Sequence, residues 1–283
     1  MALLAGQITA GGRHQQALLD LPASVPELMA AVQGLLIHRD LTGMYDVPRT
    51  ERHDVTSNLR TVEEILDHLL ADGRPITQAR PPAERVAGTC RDFTVLTVAA
   101  LRAHGVPARA RCGFGAYFPS DAMEDHWVAE YWDGRWVLAD AQLDDRQRAA
   151  WSIGFDTADV PRDQFVVAGQ AWRRCRSGAD DPGRYGLSPL GEFGDWWIAA
   201  NLVRDVAALA ERELLPWDVW GVMPEPNEEI TPDLVALFDE LAALTADPDS
   251  ADAARAVHDR DERIRVPATV LNMERGGREE TLP

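Results

Sequence analysis

Lysine is absent from all 283 residues, so each of the 28 basic residues is an arginine. No side chain of this protein can therefore offer a primary amine as an acyl acceptor. The bases are also outnumbered: 46 Asp and Glu leave a formal charge of −18, which argues against nucleic acid or an anionic membrane as partners, since both carry the same sign. No apolar run approaches the roughly 20 residues of a membrane span. The opening residues lack the basic-then-apolar order of a signal peptide, so the expected location is the cytoplasm. Only three cysteines occur, an odd number in a long chain, which predicts no disulfide framework and fits a reducing compartment. Cys112 and Cys175 are expected to be small buried apolar residues. What the chain does have is an ordinary share of hydrophobic residues, 46%, and enough length to bury a full core.

Helix signals come first along the chain. Ser24-Val25-Pro26-Glu27 reads as a capping box with Pro in the opening turn, ahead of Leu28, Val32, Leu35 and Leu36 at helical spacing. Thr61-Val62-Glu63-Glu64 reads as a second capping box before Ile65, Leu66, Leu69 and Leu70, and Asp72-Gly73 closes that helix. A third helix is expected from Cys90 to His104, stopped by Gly105 and Pro107. The period then changes. Segments 108–118, 126–132 and 135–143 are rich in aromatic and β-branched residues and predict antiparallel strands. Asp195 is the expected N-cap of a helix carrying Ile198, Leu202, Val206 and Leu209, and Thr231-Pro232-Asp233 opens another with Leu234, Leu237, Phe238, Leu241 and Leu244. Beyond Asp247 the charge density and Gly276-Gly277 predict a partly disordered acidic tail.

Three residues carry recognisable chemistry. Cys90 at a helix N-terminus faces unpaired backbone N–H groups and the positive end of the helix dipole, which favour thiolate and can hold an oxyanion. His126 and Asp140 flank a hairpin. A three-residue loop, Trp132-Asp133-Gly134, with Gly134 in the left-handed conformation, pairs Tyr131 with Arg135 and His126 with Asp140 on one face. A two-residue loop would throw them onto opposite faces. A thiol, an imidazole and a carboxylate in such an arrangement make an activated sulfur nucleophile. A zinc site from the same side chains lacks a fourth ligand, no EF-hand spacing is present, and neither a metal nor a cofactor is expected.

The stretches 88–93 (Gly-Thr-Cys-Arg-Asp-Phe), 101–109 (Leu-Arg-Ala-His-Gly-Val-Pro-Ala-Arg), 126–130 (His-Trp-Val-Ala-Glu) and 136–140 (Trp-Val-Leu-Ala-Asp) resemble, in order and spacing, the core of the transglutaminase-like superfamily. The resemblance runs from about Arg85 to Asp144. It implies a papain-like α+β fold, with the helix of Cys90 packed on an antiparallel sheet; the helix signals further on predict a mostly helical C-terminal extension. It further implies Cys90 as nucleophile, His126 as general base and then acid, and Asp140 as the orienting carboxylate. Gln78 is a candidate second oxyanion donor by position alone. The expected organisation is a catalytic core over 1–145, a Trp-rich helical extension over 146–246, and the tail over 247–283. The implied substrate is a peptide, amide or acyl group, free or bound to a carrier protein. Hydrolysis of an amide is the leading expectation, with acyl transfer, Dieckmann-type cyclisation and a non-catalytic interaction module of the same fold as alternatives. The five tryptophans at 172, 196, 197, 217 and 220 suit a helical cap or an aromatic wall beside a cleft. Arg173, Arg174 and Arg176 form a small basic cluster, a solvated face or a dock for an acidic partner.

Overall fold

The computed structural model describes residues 6–283 and shows an α+β fold whose chain divides into two compact units. One unit runs through Ala110 and resumes over Val128–Val160; the other comprises Arg111–Trp127 and Pro161–Leu282.

The first unit carries α1 (Gln15–Asp20), α2 (Val25–Leu35), β1 (Leu36–His38), α3 (Glu51–Thr56), α4 (Val62–Leu70), β2 (Val86–Gly88) and α5 (Cys90–Ala103). It continues through the start of β3 (Ala108–Gly115), the end of β4 (Met123–Trp132), β5 (Trp136–Ala139) and α6 (Asp145–Ala150). Helix α5 is buried along nearly its whole length, from Cys90 to Arg102. It packs with α1, α2 and α4, whose Leu18, Leu28, Val32, Leu66 and Leu69 are buried. At about 25 cal/mol per Å² of apolar area, such burial rather than helix propensity holds α5 in place. The helix ends as its sequence dictates, with Gly105 at φ +79°. Strands β1 and β2 pair in parallel, Leu36 opposite Val86, just ahead of Cys90. Sequence periodicity misses this pair, because Leu35-Leu36-Ile37 extends the apolar pattern of α2 and three-residue strands are too short to show alternation.

The Thr61–Glu64 capping box forms, with Thr61 N donating to Glu64 Oε2 (2.9 Å) and Glu64 N to Thr61 Oγ1 (3.2 Å). The one expected at Ser24 does not: its hydroxyl donates to the Glu27 carboxylate (2.6 Å) and caps no backbone amide.

The second unit holds the remaining residues of β3 and β4, then β6 (Phe165–Val167), α7 (Ala168–Arg176), β7 (Tyr185–Leu187), β8 (Glu192–Phe193) and α8 (Asp195–Leu209). It ends with β9 (Asp218–Val219), α9 (Pro232–Ala246), α10 (Ala251–Arg260), β10 (Thr269–Asn272) and β11 (Arg278–Thr281). Here β6 pairs antiparallel with β3, and β7 runs parallel to β4 and antiparallel to β8. Helix α8 is the core of this unit, buried from Ile198 to Leu209 and packed with α7, α9 and α10. Its N-cap is Gly194 (φ +124°), and Asp195 begins the helix instead of capping it. Arg111 donates to both oxygens of Asp205 (3.0 and 2.8 Å) and to Thr245 O (2.7 Å), fixing β3 to α8 and α9.

The tail expected beyond Asp247 is ordered. Helix α10 and the β9–β10–β11 sheet bury Ala254, Val257, Ile264 and Val270, apolar residues spaced too widely among charges to show as a run. Among the described residues, no helix is long and apolar enough to cross a membrane.

Candidate functional site

Cys90 is the first residue of α5, where backbone amides have no partner within the helix. Its setting is built by its neighbours. Thr89 is extended, and its amide donates to Asp92 Oδ2 (2.7 Å), turning the chain into the helix. Gly88 permits that approach, since a Cβ there would sit 2.7 Å from the Asp92 Cβ. Arg91 is fully buried. It donates to Asp92 Oδ1 (2.9 Å), to Leu59 O (3.3 Å) and to Arg60 O, tying the first turn of α5 to the chain ahead of α4. Burial pushes the Asp92 carboxyl up, against the pull of Arg91 and the Thr89 amide. Cys90 itself is 9% exposed, whereas Cys112 is 0% exposed. Cys175 is half-buried, and burial together with Asp195 pushes its thiol up to about 12. Of the three thiols, Cys90 is the one at a helix N-terminus.

Asp140 directly follows β5 and is 1% exposed. Its amide donates to Thr157 O (2.8 Å), and its Oδ1 accepts from Gln142 N (3.1 Å), so both backbone and carboxylate are fixed. Gln142 in turn opens a chain of one-way hydrogen bonds. Its Nε2 donates to Gln147 Oε1 (3.5 Å), Gln147 Nε2 to Tyr45 Oη (3.0 Å), and Tyr45 to Asp144 Oδ2 (2.7 Å). Burial pushes the Tyr45 hydroxyl up to about 12, and Arg85 and Arg146 lie 5.7 and 5.5 Å from its ring centre. None of this chain stands out in the sequence, because its members are distant polar residues without a motif.

The hairpin departs from expectation by two residues. Trp132 pairs with Trp136 and Tyr131 with Val137, so the loop is Asp133-Gly134-Arg135; Tyr131 does not face Arg135. The loop length is as expected, and Gly134 is left-handed at φ +70°. The cause is cross-strand packing: register by two residues brings the Trp132 and Trp136 rings together, 5.5 Å apart and edge to face. The ladder ends at Ala129–Ala139, which leaves Asp140 level with Val128 instead of directly opposite His126. An even slip preserves the alternation of faces along each strand.

His126 lies on β4 in the second unit and is 2% exposed. Its ring is met edge to face by Phe118, Tyr117 and Phe165, at centroid distances of 4.9, 5.9 and 6.4 Å. Its neighbour Asp125 accepts from Trp197 Nε1 (2.9 Å), and burial pushes that carboxyl above its ordinary range. Gln78 is exposed on a turn, where its carbonyl accepts from Arg80. The tryptophans of the second unit are tied into its frame: Trp172 donates to Asp239 (2.7 Å), Trp196 to Phe193 O (3.0 Å) and Trp220 to Ile264 O (2.9 Å). Arg176 pairs with Asp239 at 3.4 Å across α7 and α9, on an exposed face.

Residues 58–141 match the model of the core of the transglutaminase-like superfamily, a span that contains Cys90, His126 and Asp140. This part of the chain is similar to the core of the transglutaminase-like superfamily. The matched span begins just ahead of α4 and ends just past β5. No curated protein matches the chain. Among solved structures it is similar to one titled "a Putative Cysteine Protease from Cytophaga hutchinsonii", 20% identical, with 58% of this chain and 44% of that chain covered and a TM-score of 0.32. The alignment thus spans less than half of that protein, and the superfamily assignment rests on residues 58–141.

Proposed function

We propose that this protein is a cysteine enzyme that attacks the carbonyl carbon of an amide or acyl group through Cys90, with His126 as base and Asp140 as the carboxylate that orients it. In the first step the Cys90 sulfur adds to the carbonyl and its proton passes to His126. The oxyanion forms beside the first-turn amides of α5, donors already fixed in place. Collapse of that adduct breaks the carbon–nitrogen bond, the leaving amine takes the proton from His126, and a thioester remains on Cys90. Water, giving its proton to His126, then attacks the thioester; the acid leaves and the thiol is restored. An amine in place of water gives transamidation by the same steps. Hydrolysis is the first reading, since water needs no second binding site.

One observation carries this reading: within the matched superfamily span, a cysteine begins the buried helix α5, beside backbone amides that have no partner within the helix. The test is intact-protein mass spectrometry after incubation with cell extract. A mass increase mapping to Cys90 and lost in Cys90→Ser is the expected result. An adduct that persists in Cys90→Ser assigns the chemistry elsewhere.

A further inference from the structure

Two alternate residues near the end of β3, Gly113 and Gly115, leave the last part of one face of that strand without side chains, beyond Arg109 and Arg111. The space is used. A Cβ at Gly113 would lie 2.3 Å from Val166 O and 3.0 Å from Phe165 Cζ; one at Gly115 would lie 2.7 Å from Phe118 Cε2 and 3.0 Å from Tyr117 Cζ. Phe165 enters from β6, where it pairs with Gly115, while Tyr117 and Phe118 fold back from the turn just after β3 and touch each other at 4.9 Å. All three rings close on His126, with interplanar angles of 68° to Phe118, 89° to Tyr117 and 70° to Phe165.

We propose that Tyr117 and Phe118, admitted by Gly115, are positioning residues that hold the His126 imidazole in one ring orientation for its role as base. The proposal rests on the reading of His126 given above. An imidazole rotates about a broad, roughly two-fold torsion, and only one orientation presents a given nitrogen to a thiol. Edge-to-face contacts around the ring penalise the other orientations by excluded volume and by the loss of ring–ring attraction. They also keep water from competing for its nitrogens. Phe118 is the most telling member, because it lies nearest and is only half-buried, so its loss leaves the rest of the core in place.

The test uses the full chain and two readouts. Ring-proton NMR signals of His126, assigned by their disappearance in His126→Ala, should be displaced by the adjacent aromatic rings. In Phe118→Leu they should move back toward free histidine, and iodoacetamide alkylation of Cys90 should slow about three- to tenfold, the equivalent of one aromatic pair. Phe118→Tyr should restore both, and Gly115→Ala, which displaces the rings without changing them, should reproduce the loss. Unchanged His126 signals and unchanged alkylation in both Phe118→Leu and Gly115→Ala would overturn the proposal. If instead His126→Ala alkylates as fast as the wild type, the base assignment itself fails; that outcome is recognised by ring-proton shifts that still move in Phe118→Leu.

Discussion

Arg91 and Asp92, the two residues after the proposed nucleophile, hold its backbone, and they do so as a buried ion pair at 2.9 Å. Removing one partner leaves an uncompensated charge at a buried site. Asp92→Ala is therefore expected to cost about 3–5 kcal/mol in urea unfolding, and Asp92→Asn less, because the amide oxygen can still accept from Thr89 N. Asp125 gives a pH signature. Burial raises its carboxyl on folding, so the stability it contributes is fully present below the ordinary carboxylate value of about 4 and is lost as pH rises through the raised value. Asp125→Asn removes that dependence while leaving an oxygen for Trp197. Its gain in Tm over the wild type should be larger at pH 7 than at pH 4, and equal gains at both would contradict the stated cause.

At the scale of elements, the β4–β5 hairpin depends on one left-handed residue. A Cβ at Gly134 would meet no atom within 4 Å, so Gly134→Ala should cost about 1 kcal/mol through backbone conformation alone, measured by urea titration. The same hairpin shows how far sequence reading reaches. Its loop length and its glycine were legible, because φ > 0 has few occupants. Its register was not, because the contact of Trp132 with Trp136 competes with the turn, and sequence alone does not rank the two. Helices α4 and α9 were legible for similar reasons, each having an apolar stripe and clear start signals, and α5 by its stop at Gly105 and Pro107. Helix α3 was missed: its stretch Glu51-Arg52-His53-Asp54-Val55-Thr56 is too polar for a period, and its cap is Thr50 N donating to His53 Nδ1 (3.0 Å), an unusual partner. Cys90 was singled out by its place at the start of an expected helix together with His126 and Asp140, whereas the Thr89–Asp92 capping box that sets its backbone was not read. The rings around His126 did not, since Gly113 and Gly115 read as strand weakness until the packing shows what fills the gap.

The whole molecule carries −18 charges without a lysine, and its self-repulsion is balanced by many exposed arginine–carboxylate pairs such as Arg13 with Glu63 and Arg135 with Asp159. Such pairs are individually weak. Long-range repulsion between like charges is screened over roughly 10 Å at 0.1 M salt, so adding salt at neutral pH should raise Tm; a fall would mean that the surface pairs outweigh the repulsion. The order seen in 251–281 follows from the same balance: a charged segment stays folded because Val257, Ile264 and Val270 have a core to enter.

The most direct trial of Cys90 as an activated thiol is competition among the protein's own three cysteines for iodoacetamide at mildly acidic pH, read by peptide mass spectrometry. Cys112 is sealed in the core and burial holds the Cys175 thiol protonated, so both serve as internal controls. Selective fast labelling of Cys90 that slows markedly in His126→Ala is the expected result. Labelling of Cys90 no faster than a free thiol, or indifferent to His126, would contradict the account.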